Sequence, residues 1–170
     1  MQIRTEAPAD ILTIDSLLKN AFPSKDEAKL VRALRENSRF TLSVVACSDE
    51  GQVIGHALFT PVTLDGEDFG WQGLAPVAVH PQYRKQGIAE QLIKYGFDSL
   101  YELGYSACVV LGDPNYYARF GFQDGEPMGL VSIYNSMPEY QAGAFQVLQL
   151  IEDCFTSKAG LVEYSPEFNG

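Results

Sequence analysis

The sequence predicts an α/β domain (α+β by some schemes) in which helices flank a central sheet. Three observations carry this expectation. Ile11, Leu12, Ile14, Leu17, Leu18 and Ala21 fall at helical spacing and give one apolar face. Residues 41–47 and 53–59 read as two strands joined by the turn Asp49-Glu50-Gly51, a hairpin pattern. Residues 71–111 then run strand, glycine-containing loop, amphipathic helix and apolar strand.

Taken in order, Ile3-Arg4 can open an edge strand before the first helix, which Phe22-Pro23 ends. Ser24-Lys25-Asp26-Glu27 has the S-x-x-E pattern of a capping box and predicts a second helix through Val31 and Leu34. Leu64-Asp65-Gly66-Glu67-Asp68 is a turn into a strand at about 71–79. Pro76 cannot donate a ladder hydrogen bond, so it marks a bulge or an edge in that strand. In the next helix Ala89, Leu92, Ile93, Gly96, Phe97 and Leu100 share a face, and Gly104 is placed to stop it. Cys108-Val109-Val110-Leu111 is a buried-type strand. A short helix is expected over 114–120 and strands over 145–154 and 161–164, while 128–137 has no readable period.

A chain of 170 residues with 46% hydrophobic content favours one domain, 1–170, able to bury a core without disulfides or metals. Residues 1–125 form its core and 126–170 add C-terminal strands. No apolar run approaches the ~20 residues of a membrane span, and the first residues lack a signal-peptide layout, so the cytoplasm is expected. Cys47, Cys108 and Cys154 sit among apolar residues without C-x-x-C spacing, and with His56 and His80 they make a poor metal set; no metal is expected. A net charge of −10 argues against nucleic acid or an anionic membrane as partner and suits a cationic one.

Against that background the pair Arg84-Lys85 stands out. It lies in a loop between strand and helix, and a helix N-terminus offers unpaired N–H groups and partial positive charge to a phosphate. Gly87 lets the backbone turn closely around the anion. The other phosphate loops, G-x-x-x-x-G-K-[ST] and G-x-G-x-x-G after a strand, are absent. The loop by itself is equally compatible with a plain strand-to-helix connection.

Arg84-Lys85-Gln86-Gly87-Ile88-Ala89 resembles the R/Q-x-x-G-x-G/A signature of the GNAT N-acetyltransferase superfamily. The approach 77–83 is similar to that family's strand entering the loop, and Tyr117-Ala118-Arg119-Phe120-Gly121-Phe122 to its Y-x-x-x-G-F segment. The ending 160–168 is similar to a bacterial subgroup of predicted acetyltransferases. The resemblance implies a GNAT-like mixed, mostly antiparallel sheet with a splayed strand pair forming an acyl-CoA cleft. It implies acetyl-CoA as co-substrate, its pyrophosphate on Arg84, Lys85, Gln86, Gly87, Ile88 and Ala89, and its pantetheine arm along the main chain of Val77 and Val79. The activity implied is N-acetyl transfer to a primary amine of a small molecule or peptide. A non-catalytic acyl-CoA-binding regulatory module is the competing expectation, and a structural domain without CoA a third.

Tyr117 matches the family's general acid, with Tyr116 its rival by one residue of register. Relatives often take a base from a glutamate on the strand before the loop. Here no Asp or Glu lies between Asp68 and Glu90, which leaves Glu67 or Asp68, at the preceding turn, to act through water. The sequence also has Gly112-Asp113-Pro114 where the family usually ends a strand in asparagine. Cys108 as a covalent acyl carrier lacks a partner base. Trp71, Phe59 and Tyr134 are either core aromatics or walls of an acceptor pocket, and His56 is expected to be structural. The last forty-odd residues could complete the sheet, shape the acceptor site or form a homodimer contact.

Overall fold

A computed structural model describes residues 1–169. The elements are β1 (Gln2–Thr5), α1 (Ile11–Ala21), α2 (Asp26–Glu36), β2 (Leu42–Cys47), β3 (Val53–Leu64), β4 (Glu67–Val79), α3 (Ile88–Glu102), β5 (Ala107–Leu111), α4 (Pro114–Tyr117), β6 (Gln123–Asp124), β7 (Leu130–Val131), β8 (Phe145–Gln149) and β9 (Gly160–Glu163). The strands follow the order β1-β2-β3-β4-β5-β8-β6, with β9 paired to β3 and β7. The β4–β5 and β7–β9 pairs are parallel, and the β1–β2, β2–β3, β3–β9, β5–β8 and β6–β8 pairs antiparallel. This is the expected mixed, mostly antiparallel α/β architecture. No described helix is long and apolar enough to cross a membrane.

The chain clusters into two compact units, with β3 and β4 each contributing one stretch to both. The first holds Met1–Thr60, Ala75–Ser99 and the C-terminal residues from Pro166. Its antiparallel β1–β2–β3 ladder buries Val45 and Leu58 against Ile14, Leu18 and Leu34 of α1 and α2. The 3.6-residue period read in α1 is thus the packing face, although Leu12 lies off it at 81% exposure. The capping box is not formed: the Ser24 hydroxyl accepts from the Asp26 N–H, but Lys25 caps α2, whose first residue is Asp26.

In the same unit α3 is fitted to β3 through two glycines. A β-carbon at Gly96 would overlap the ring of Phe59, which is fully buried. On β3, Gly55 leaves room for Ile88 and Leu92, whose side chains would lie 3.0 and 2.9 Å from a β-carbon there. A buried polar chain lies alongside. Arg35 grips the Glu6 carboxylate through both terminal nitrogens, the Ser43 hydroxyl donates to Glu6, and Ser43 Oγ lies 2.9 Å from His56 Nε2.

The second unit, Pro61–Leu74 and Leu100–Ser165, contains the parallel pairing of Trp71, Gln72 and Gly73 with Ala107, Cys108 and Val109. β8 flanks β5 across Ala107↔Gln149 to Leu111↔Phe145. Trp71, Val109, Phe145, Val147 and Val162 form its core. The β3–β4 turn is tighter than expected. Asp65 and Gly66 alone make it, at φ 49° and 85°, the paired positive φ of a two-residue hairpin turn, so Glu67 and Asp68 already belong to β4. The strand expected over 145–154 stops at Gln149. The N–H groups of Leu150 and Ile151 both donate to the Ser106 carbonyl, which bends the chain away from the ladder.

Two outcomes follow from the first unit. Gly96→Ala would ordinarily gain up to about 1 kcal/mol of helix propensity. Because Phe59 cannot yield, overpacking of about 1–3 kcal/mol outweighs it, and a melting curve should show a Tm lower by roughly 2–6 °C; an unchanged or raised Tm would refute the contact. Burial, against the nearby Glu6 charge, pulls the His56 pKa from 6.5 down to about 4. The unfolded chain therefore binds the extra proton between those values, and stability falls as pH drops from about 6.5 to 4, by up to roughly 3 kcal/mol. Burial alone would raise the Glu6 carboxyl, but the hydrogen bonds from Arg35 and Ser43 and the Arg35 charge hold it below 4.5, adding loss at the acid end. Urea titrations at pH 7 and 4.5 should show this slope in the parent and a shallower one in His56→Gln.

Candidate active site

In the first unit, β4 delivers the chain to the loop. Its residues alternate, with Ala78 buried while Ala75, Val77 and Val79 stay partly exposed, so one row of this stretch remains open. The His80 N–H donates to the Ile54 carbonyl at 2.8 Å and fixes the strand's end on β3. His80 Nδ1 then accepts from the Gln82 N–H at 3.1 Å and starts a 3₁₀ turn over Pro81–Tyr83. Arg84, Lys85, Gln86 and Gly87 follow as exposed residues, and Ile88, 3% exposed, anchors the first turn of α3.

The backbone of that loop is specific. Lys85 and Gly87 both take positive φ, 64° and 77°. No protein atom lies within 4 Å of where a Gly87 β-carbon would stand, so the protein requires glycine there for conformation and leaves the space on that side open. The Gly87 carbonyl accepts the first α3 bond, from Gln91 at 3.2 Å. The N–H groups of the first turn have no intrahelical acceptor. The Arg84 guanidinium donates to the Ala21 carbonyl at 2.7 Å, at the C-terminal end of α1, so it braces the loop as well as charging it.

In the second unit, Tyr117 ends α4. The Asp113 carboxylate accepts from the Asn115 N–H at 2.9 Å and caps this short helix. The Tyr117 ring lies on Gly112, where a β-carbon would come within 2.5 Å of Cε2. It also meets Phe122 edge-on at 5.7 Å between centroids. Burial, then the neighbouring Tyr116 and Cys108, raises its hydroxyl to about 12, so near neutrality it stays protonated. Tyr116 is turned differently: the Arg119 guanidinium carbon stands 4.3 Å over its ring. The departure at Gly112 has its reason here, because any side chain would occupy the place of the Tyr117 ring.

Other candidates fall elsewhere. Glu67 and Asp68 are exposed, and Asp68 Oδ1 accepts from the Gly70 N–H at 2.8 Å. They precede the Trp71↔Ala107 pair, whereas Tyr117 follows the other end of β5. The structure does not bring them together. Cys108 is fully buried and burial drives its thiol pKa far up, which removes the thiolate a covalent route needs. Trp71 and Phe59 are core. Tyr134 is half-buried, edge-on to Tyr140 at 5.4 Å and tilted on Tyr164 at 6.0 Å.

Sequence reasoning missed Tyr164. It comes from the end of β9 and lies on Gly73 so closely that a β-carbon would overlap its ring. Burial raises its hydroxyl well above the ordinary value, with Cys108, Tyr134, Tyr117 and Tyr140 adding. The segment 160–168 carried the signal, but nothing local ties residue 164 to 73. Among the described residues no group of three His, Cys, Asp or Glu side chains could hold a metal ion.

Residues 2–124 match the model of the acetyltransferase (GNAT) domain family. The chain is 48% identical over 169 residues to the N-acetyltransferase YhbS of Escherichia coli K12, covering 99% of each. It superposes on the crystal structure of E. coli YhbS in complex with CoA with a TM-score of 0.93, covering 99% of this chain and 92% of that one. A GNAT family acetyltransferase from Brucella melitensis in complex with acetyl-CoA is 36% identical, with a TM-score of 0.79 over 98% and 97% of the two chains. With its loop, its strand order and these relatives in agreement over nearly its full length, the chain belongs to the GNAT family of N-acetyltransferases.

Proposed function

We propose that this protein transfers the acetyl group of acetyl-CoA to a primary amine of a small molecule or peptide, in a bacterial cytoplasm. The observation that carries the donor half is the loop 84–89. Two positive-φ residues, Lys85 and Gly87, and the start of a fifteen-residue helix present backbone N–H groups beside Lys85, which is the chemistry a pyrophosphate takes. The relatives of known structure in complex with CoA and acetyl-CoA support the same assignment. Val77 and Val79, in the partly exposed row of β4, offer main-chain groups along which a pantetheine arm would run as an added strand.

On this reading the neutral amine nitrogen attacks the thioester carbonyl, a tetrahedral adduct forms, and its C–S bond breaks. Tyr117 gives its proton to the departing thiolate, and the amine's surplus proton leaves to water. The buried, raised hydroxyl supports that role, because it stays protonated throughout the working range. The lack of any Asp or Glu between Asp68 and Glu90 is what favours the second reading, an acyl-CoA-binding module without turnover.

The donor claim is tested by thermal shift. Acetyl-CoA at a hundred times its Kd should stabilise the parent by about 2.7 kcal/mol and leave Gly87→Glu unmoved; no shift in the parent would end it. For the acid, Tyr117→Phe should lower kcat for amine-dependent thiol release about 10²-fold with little change in acetyl-CoA affinity, while Tyr116→Phe keeps most activity. The reverse pattern would reassign the acid to Tyr116. Thermal stabilisation without amine-dependent thiol release across a broad panel would favour the module.

A further inference from the structure

Between Arg119 and Lys158 the chain carries five acidic side chains, Asp124, Glu126, Glu139, Glu152 and Asp153, and no lysine or arginine. Residues 128–137 within it had no readable period, and in the second unit residues of 126–145 build a cavity of about 340 Å³ lined in part by Glu126, Tyr134, Tyr140 and Gln141. That is within the size of small-molecule sites.

The walls are held in place. The Ser132 hydroxyl accepts from the Tyr134 N–H at 3.2 Å, and Asn135 Oδ1 accepts from the Ser132 N–H at 2.7 Å, a reciprocal cap that fixes the turn carrying Tyr134. The Asp124 carboxylate accepts from the Glu126 N–H at 3.1 Å and sets the backbone of Glu126. The rings of Tyr134 and Tyr140 stand edge to face at an interplanar angle of 72°. The site also borders the start of the helix that ends in Tyr117. Gly143, another lining residue, would bring a β-carbon within 3.7 Å of Pro114, the first residue of the helix that ends in Tyr117. Ala144 accepts from the Gly112 N–H at 3.0 Å.

We propose that this cavity is the acceptor site and that the acceptor is a small dication: one primary amine reacts, while a second cationic group rests against Tyr134 and Tyr140 and pairs with Glu126. Two aromatic rings, an exposed carboxylate and no cationic residue among the lining suit an ammonium group. The inference rests on the acetyl-transfer reading above and adds the substrate class to it.

The test compares 1,4-diaminobutane with butylamine and 4-aminobutanol as acceptors in thiol release. Calorimetric titration of 1,4-diaminobutane into the protein without acetyl-CoA runs beside it. The diamine should have a kcat/KM at least tenfold above the other two, with the difference in KM. Glu126→Gln should cut that ratio about tenfold and weaken the calorimetric Kd similarly, while Glu152→Gln, an acid of the same segment outside the cavity lining, leaves both alone. Equal use of the three acceptors, a ratio insensitive to Glu126→Gln, or no diamine binding would overturn the proposal and leave acetyl transfer standing. Glu126-dependent diamine binding with no turnover of any amine would uphold the site and remove the transferase reading instead.

Discussion

The placement of α3 on β3 is the constraint from which the donor loop follows. Phe59 is fully buried and its ring occupies the volume that any side chain at residue 96 would need, while Gly55 gives up its own volume to Ile88 and Leu92. Helix and strand are therefore keyed at two points, one near the helix start and one near its middle. A helix held this way cannot slide or rotate by a residue without losing both fits. Its first turn, and the N–H groups exposed there, are fixed relative to the end of β4 by the same contacts. The His80 bond to Ile54 and the Arg84 bond to Ala21 close the loop from its other side. The anion site proposed for this loop is made of backbone groups with no side chain to readjust, so it would depend on this rigidity.

The second unit uses the same device for another purpose. Tyr117 lies on Gly112 and Tyr164 on Gly73, each ring taking the place of a missing β-carbon. Packing an aromatic directly on backbone removes water from around its hydroxyl, and that desolvation is the main reason both hydroxyls are held in the protonated form. For Tyr117 this keeps the proton on the hydroxyl near neutrality. It also gives a reason why a strand end that commonly carries asparagine carries glycine here: a side chain at 112 would take the place of the Tyr117 ring.

These two arrangements mark what could be read from the sequence. The loop 84–89 was legible because strand, glycine turn and helix are contiguous, and the chemistry is carried by local backbone geometry. The amphipathic faces of α1 and α3 were legible for the same reason, since a 3.6-residue period is a local property. Gly96 and Gly112 were visible as residues but not as contacts, because their partners are fixed only by tertiary packing. Tyr164, ninety-one positions from Gly73, gave no local clue. The segment 128–137 had no period to find: it holds the two-residue β7, short 3₁₀ turns and a side-chain cap. The turn at Asp65-Gly66 was read in the right place but too wide, which kept Glu67 and Asp68 out of the strand they belong to.

The lack of any Asp or Glu between Asp68 and Glu90 bears on how the acceptor loses its proton. A primary amine with an ordinary alkylammonium pKa is almost wholly protonated near neutrality, and a base-free site would wait on the small neutral fraction. A dication eases this. The two like charges repel, so removing the first proton is easier than removing one from a monoamine of equal length, and the effect grows as the charges approach. A carboxylate beside the reacting amine would undo the gain, because it stabilises the ammonium. Glu126 therefore helps only if it holds the amine that does not react. On the proposed reading, the positive charge retained on the substrate eases loss of the first proton to water, where other members of the family use a glutamate base.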